Sequence, residues 1–181
     1  MKIKRIALTS LMAALICVCS WLTIPATVPF TMQTFAIFCA LILLGGLDGT
    51  IAILLYVVIG MIGVPVFSGF RGGVAHILGP TGGYIVGFVA TGFVYLLFEI
   101  LFKKFDGKKR IVFEVIALVI GLFCCYIIGT IWFYVVNHAE GYSFFKILML
   151  CVIPYILPDL AKMALAFLLF KRIKKIILKE E

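Results

Sequence analysis

The sequence predicts an all-α integral membrane protein: a bundle of six transmembrane helices with one long outward-facing loop acting as a lid. Three observations carry this. Of 181 residues, 65% are apolar and only 13% charged, about half the charged share with which a soluble domain wets its surface. The charges are clustered, which leaves long charge-free apolar runs, and a bilayer crossing needs ~20 such residues. The basic clusters fall in alternate connections, the asymmetry expected of a multi-span protein. The length holds about six crossings and excludes the paired six-span halves of a large secondary transporter. The whole chain, 1–181, reads as one membrane domain.

The first span is Ile6 to Leu22, preceded by Lys2, Lys4 and Arg5. It is longer than the ~7 to 15 residue core of a secretory signal, and no small-x-small cleavage site follows, so it is expected to be retained. Further spans are expected at 34–46, 50–63, 82–102, 111–136 and 148–171. The second and third are short, and a tilt or a locally thinned bilayer would accommodate them. With both termini cytoplasmic, the inner side holds Lys2, Lys4 and Arg5, then Lys103, Lys104, Lys108, Lys109 and Arg110, then Lys171, Arg172, Lys174, Lys175 and Lys179. That is thirteen of the 16 basic residues. Only Arg71 and Lys146 fall in outer loops, while Lys162 lies inside a span. The net charge of +8 thus reports topology and contact with anionic lipid, and no basic soluble face exists for nucleic acid. The tail 171–181 reads equally well as an interfacial extension of the last helix or as a solvated end.

Several residue patterns need no chemistry. The six cysteines, Cys17, Cys19, Cys39, Cys124, Cys125 and Cys151, all sit in apolar runs without ligand spacing; they read as small hydrophobes, with neither metal nor cofactor implied. Ser10 with Ala14, Ala13 with Cys17, and Gly121, Cys125 and Gly129 repeat at four-residue spacing, which lets helices approach closely. Glu99 and Glu114 lie at span ends beside the basic loop and are expected to pair there. Trp21, Trp132 and Tyr142 fit interfacial belts.

Two outward loops and one span stand apart. The segment Thr23 to Thr34 combines two prolines with four threonines and Gln33. Pro25 and Pro29 fix the backbone, and Thr31, Gln33 and Thr34 present hydrogen-bonding groups where the second span begins, although helix capping by either threonine is a competing reading. The loop Gly63 to Tyr84 holds seven glycines, two prolines, Arg71 and His76. Its apolar residues, among them Val66, Phe67 and Phe70, favour a segment folded back over the bundle. His76 reads as an ordinary polar loop residue. The stretch Gly79 to Gly83 lacks the lysine and spacing of a phosphate-binding loop.

The last span carries the strongest signal. Asp159 and Lys162, three residues apart, share one helix face inside an otherwise apolar segment. An ionisable side chain in the bilayer costs on the order of 2.5 to 3.5 kcal/mol, so such groups face the protein interior and mark a pathway or ligand site, or else hold helices together as a self-satisfied pair. Pro158 beside them breaks the helix hydrogen-bond ladder, a feature common where irregular backbone lines a cavity. Asp159 falls in the outer part of the membrane, within reach of both outward loops.

In VPFTMQTFAI (28–37), LLYVVIGMIGVPVFSG (54–69), LGPTGGYIVGF (78–88) and PDLAKMALA (158–166), the chain resembles the biotin-specific substrate-binding subunits, or S components, of energy-coupling-factor (ECF) transporters. The resemblance covers most of the chain. It implies a six-helix bundle in the plasma membrane of a prokaryote, capturing biotin from outside and releasing it inward only with a transmembrane coupling (T) subunit and two ATP-binding-cassette ATPases. The chain itself has no ATPase motif and is not expected to be an enzyme. Small residues of the first helix would dock the coupling subunit, here Ser10, Ala13 and Ala14, with Ser10 in place of the usual alanine. The resemblance further implies that Asp159 accepts from a ureido N–H and that Lys162, Gln33, Thr34 and Thr31 complete a polar cluster. Phe67 and Tyr84 would cover the apolar ring, and Arg71 would receive the carboxylate. Competing readings are an S component for another vitamin, a stand-alone carrier or channel, and an intramembrane aspartyl enzyme. The last would need a second deep carboxylate, and Asp48 and Asp106 lie in inner connections.

Overall fold

The computed structural model of the chain describes residues 2–105, 107–137 and 143–179. Asp106, Tyr142 and the tail end at 180–181, on which the sequence carries expectations, lie outside them. The described elements are α1 (Lys2–Trp21), β1 (Thr23–Ile24), β2 (Phe30–Thr31), α2 (Gln33–Met61), α3 (Val74–Leu78), α4 (Gly82–Leu101), α5 (Gly107–Val136), α6 (Phe144–Cys151) and α7 (Ile153–Lys179). Five helical segments are long and apolar enough to cross a membrane. The most deeply buried is α2, against which α1, α4 and α7 all pack, while α4 lies along α5.

α2 is where the sequence expectation needs correcting. Two spans separated by a short connection were expected at 34–46 and 50–63; the structure has one 29-residue element whose only non-helical residue is Gly45, at φ 83° and ψ −179°. A straight helix would hold Gln33 and Tyr56 about 35 Å apart, yet the Gln33 side-chain amide donates to the Tyr56 hydroxyl. The chain therefore reverses at Gly45, and the two legs lie side by side. A single left-handed glycine, a conformation that costs other residues ~1–2 kcal/mol, replaces a whole loop. Asp48, expected in an inner connection, is consequently helical and pairs with Arg5 at 2.7 Å. With the folded α2 counted as two, the bundle has six crossings, its second and third legs about 18 and 24 Å long at 1.5 Å per residue.

The end of the bundle that carries the segments 23–31 and 63–81 is more ordered than loops of this composition require. Thr23 pairs with Thr31 and Ile24 with Phe30 in an antiparallel ribbon, two-residue strands that the turn-rich sequence does not announce. The following loop is tied down at its start. Ser20 donates to Val66 O and Trp21 Nε1 to Pro65 O at 2.9 Å; Phe67 and Arg71 exchange backbone hydrogen bonds of 2.8 and 3.3 Å around a tight turn. Phe67 is fully buried. Its ring occupies the space a side chain at Gly60 would need, so that glycine admits the ring between loop and helix.

The small-residue stripe of α5 faces α4: Gly121 receives Thr91, Cys125 lies on Gly87, and Gly129 accommodates the Tyr84 ring. Arg110 bridges Glu99 and Glu114, 3.3 Å to each. On α1, Ala13 is buried whereas Ser10 and Ala14 are exposed. The three therefore do not form one outward face, because neighbouring helical residues diverge by about 100°. The last crossing also departs from expectation. It breaks at Val152 (φ −124°, ψ −58°), while Pro158 sits within a continuous α7, omitting one hydrogen bond without ending the helix. α7 continues as helix through the tail to Lys179.

Candidate ligand-binding pocket

Asp159 and Lys162 are 3% and 7% exposed, so their charges are tolerable only if partners replace water. The fold supplies those partners from separate elements. Asp159 Oδ1 accepts from Lys162 Nζ at 2.8 Å and from Thr34 Oγ1 at 2.8 Å; Oδ2 accepts from the Tyr126 hydroxyl at 2.7 Å. Lys162 also donates to Thr31 O at 2.7 Å and to Thr34 Oγ1 at 3.2 Å, and sits 3.9 Å from the centre of the Phe30 ring. A cation over an aromatic face in a desolvated setting gains up to about 2 kcal/mol. Gln33 is oriented by Tyr56 on one side and by the Thr31 hydroxyl, 3.3 Å away, on the other.

This network forms one wall of a cavity between the helices and the loops at that end of the bundle. Thr31, Gln33, Thr34, Phe67, Tyr84, Asp159 and Lys162 all line it. Seven of the eight residues picked from the sequence as ligand contacts are thus brought together. Arg71 is not among them. It is exposed and lines a separate cleft that shares Pro29, Ser68, His76 and Thr81 with the cavity, so the cleft adjoins the cavity and Arg71 stands in the cleft.

Tyr126 was missed. A tyrosine halfway along an apolar span, rather than at its end, is the available signal, because a buried phenol needs a partner. Tyr155 was missed as well; it donates to Val28 O and holds the segment between β1 and β2 on α7. His76, read as an ordinary loop residue, stacks on Phe67 with ring centres 5.3 Å apart and lines the cavity. Burial and then the nearby Arg71 guanidinium lower its pKa below the ordinary 6.5, so the imidazole is neutral at pH 7.

The pocket is chemically a polar end, the Asp159–Lys162 ion pair with Thr31, Gln33, Thr34 and Tyr126, set against an aromatic and aliphatic body. Comparison with known proteins places this arrangement. The model of the BioY family matches residues 1–179. The chain belongs to the BioY family. Among its relatives, the probable biotin transporter BioY of Pyrococcus horikoshii is 37% identical over 175 residues, 96% of this chain and 98% of that one. The biotin transporter BioY of Thermotoga maritima is 33% identical over 174 residues, 96% and 97% of the two chains. A solved structure described as the S-component for biotin from an ECF-type ABC transporter superposes with a TM-score of 0.84 at 28% identity, over 96% of this chain and 92% of that one. This BioY-family chain is therefore a multi-pass membrane protein of a transporter family, not of an enzyme family.

Proposed function

We propose that this chain is the biotin-binding S component of an ECF-type importer, and that biotin occupies the cavity beside Asp159 and Lys162. The observation that carries the reading is the state of the Asp159 carboxylate. A carboxylate offers about four lone-pair sites; Oδ1 receives two donors and Oδ2 only one. The open site on Oδ2 is where a ureido N–H binds. Lys162 holds the carboxylate aimed, and Thr31, Gln33 and Thr34 make up the rest of the polar end. Phe67 and Tyr84 flank the apolar ring system. The valeryl carboxylate runs outward to the cleft at Arg71, and the segment Gly63 to Tyr84 acts as the lid.

The chain binds but does not drive transport. A T subunit and two ATPases supply the energy, docking on an α1 face that includes Ser10 and Ala14, with Ala13 packing beneath them. Both termini lie in the cytoplasm, in accord with the distribution of basic residues.

The test is biotin binding by the purified chain in detergent. Removing one member of a buried ion pair strands the other, at a cost of about 3–5 kcal/mol, whereas replacing both by apolar groups of similar volume is close to neutral for stability. The double variant Asp159→Leu with Lys162→Met is therefore expected to fold and to lose affinity at least tenfold, the loss of charged hydrogen bonds being worth about 1.5–3 kcal/mol each. Unaltered affinity in a folded double variant places the site elsewhere, and copurification of another vitamin, identified by mass, replaces the ligand.

A further inference from the structure

A second cavity lies between the adjoining ends of α4 and α5 and shares no lining residue with the first. Its walls are aromatic, with Phe102 and Phe113 stacked at 4.0 Å, and its rim carries Glu99, Lys103, Arg110 and Glu114. The known internal contacts do not exhaust these groups. Arg110 has five N–H donors and uses them on one oxygen each of Glu99 and Glu114. Glu114 keeps its second oxygen, and the Lys103 ammonium has no partner among the described residues. Tyr95 is 2% exposed, lines the cavity and lies in the field of Glu114, Glu99 and Arg110. None of the described residues hydrogen-bonds its hydroxyl.

The charge pattern selects the occupant. A simple anion would meet two carboxylates and a simple cation would meet Arg110 and Lys103; a zwitterion satisfies both signs. The cavity lies at the end of the bundle where Lys103, Lys104, Lys108, Lys109 and Arg110 cluster, the level of a membrane–water interface. An aromatic cleft at that level accepts an acyl-chain root. We infer that this cavity binds the headgroup of a zwitterionic aminophospholipid, its phosphate on Lys103, Arg110 and the Tyr95 hydroxyl, and its ammonium on Glu114 and the aromatic faces.

The full chain, delipidated in detergent, is to be titrated with phosphatidylethanolamine and with phosphatidylglycerol, and the retained lipid counted by native mass spectrometry. Tyr95→Phe and Lys103→Gln are the variants, since Lys103 is exposed and neither touches the biotin pocket. The expected result is at least fivefold preference for phosphatidylethanolamine, falling towards parity in both variants, with biotin affinity unchanged as evidence of folding. Equal retention of the two lipids, or a preference that survives both substitutions, overturns the proposal. Displacement of the lipid by soluble phosphoethanolamine at equal concentration also overturns it, by showing that the site serves a dissolved phosphate ester.

Discussion

At Asp159, three donors from α2, α5 and α7 converge on one carboxylate, which makes the energetic role of each separable. Tyr126→Phe removes a single neutral donor and frees a lone pair. It is expected to weaken biotin binding about fivefold, roughly the 1 kcal/mol of one hydrogen bond, measured by calorimetry on the purified chain. His76 gives a pH signature. Its pKa is lowered in the folded protein, so the neutral imidazole is the form that stacks on Phe67. Above pH 6.5 the ring is neutral folded or unfolded and nothing is lost. As pH falls below 6.5 the unfolded chain takes up the proton first, and the packed loop is progressively penalised until pH has dropped through the lowered folded value. Folding stability is therefore expected to be flat from pH 8 to about 6.5 and to decline below it, read by thermal unfolding in detergent, with His76→Gln removing the decline.

Two glycines decide the elements. Gly45 is the only non-helical residue of α2. Gly45→Ala forces a side chain into left-handed backbone 3.1 Å from Glu99 Oε1, where Glu99 Oε2 also accepts from Gly46 N at 2.5 Å. A loss of about 1–2 kcal/mol is expected, read as a lower midpoint in thermal unfolding in detergent. Gly60→Ala displaces the Phe67 ring from its seat against α2. Here the expectation is a weaker affinity accompanying a 1–3 kcal/mol overpacking cost, whereas Gly63→Ala, with nothing within 4 Å of its added carbon, tests backbone strain alone.

For the whole molecule, the division of labour makes a simple prediction. The isolated chain in liposomes binds biotin but does not accumulate it with ATP, and accumulation follows only when a T subunit and ATPases are co-reconstituted. Uptake of label by the isolated chain, with or without nucleotide, would instead identify a stand-alone carrier.

The bundle was legible because the bilayer imposes its own grammar: spans must be apolar and helical, and basic residues mark one side. The Asp159–Lys162 pair was legible for the same reason, since charge in a span is costly enough to be conspicuous. Composition and spacing alone therefore determined the fold class, the number of crossings and the acid–base pair around which a site forms. Tertiary structure decided what depends on long-range approach. The reversal at Gly45 hides in an apolar run because glycine is ordinary in spans; Tyr126 joins Asp159 from 33 residues away; and Ala13 turns inward while Ser10 and Ala14 do not. Arg71 reads as equal to its neighbours in the chain, yet it lines an adjoining cleft rather than the polar cluster. Local sequence records what each residue costs to place in lipid and which neighbours on one helix face can pair, whereas which side chains meet from different helices is set by how the helices cross, and no short window of the chain contains both of those partners.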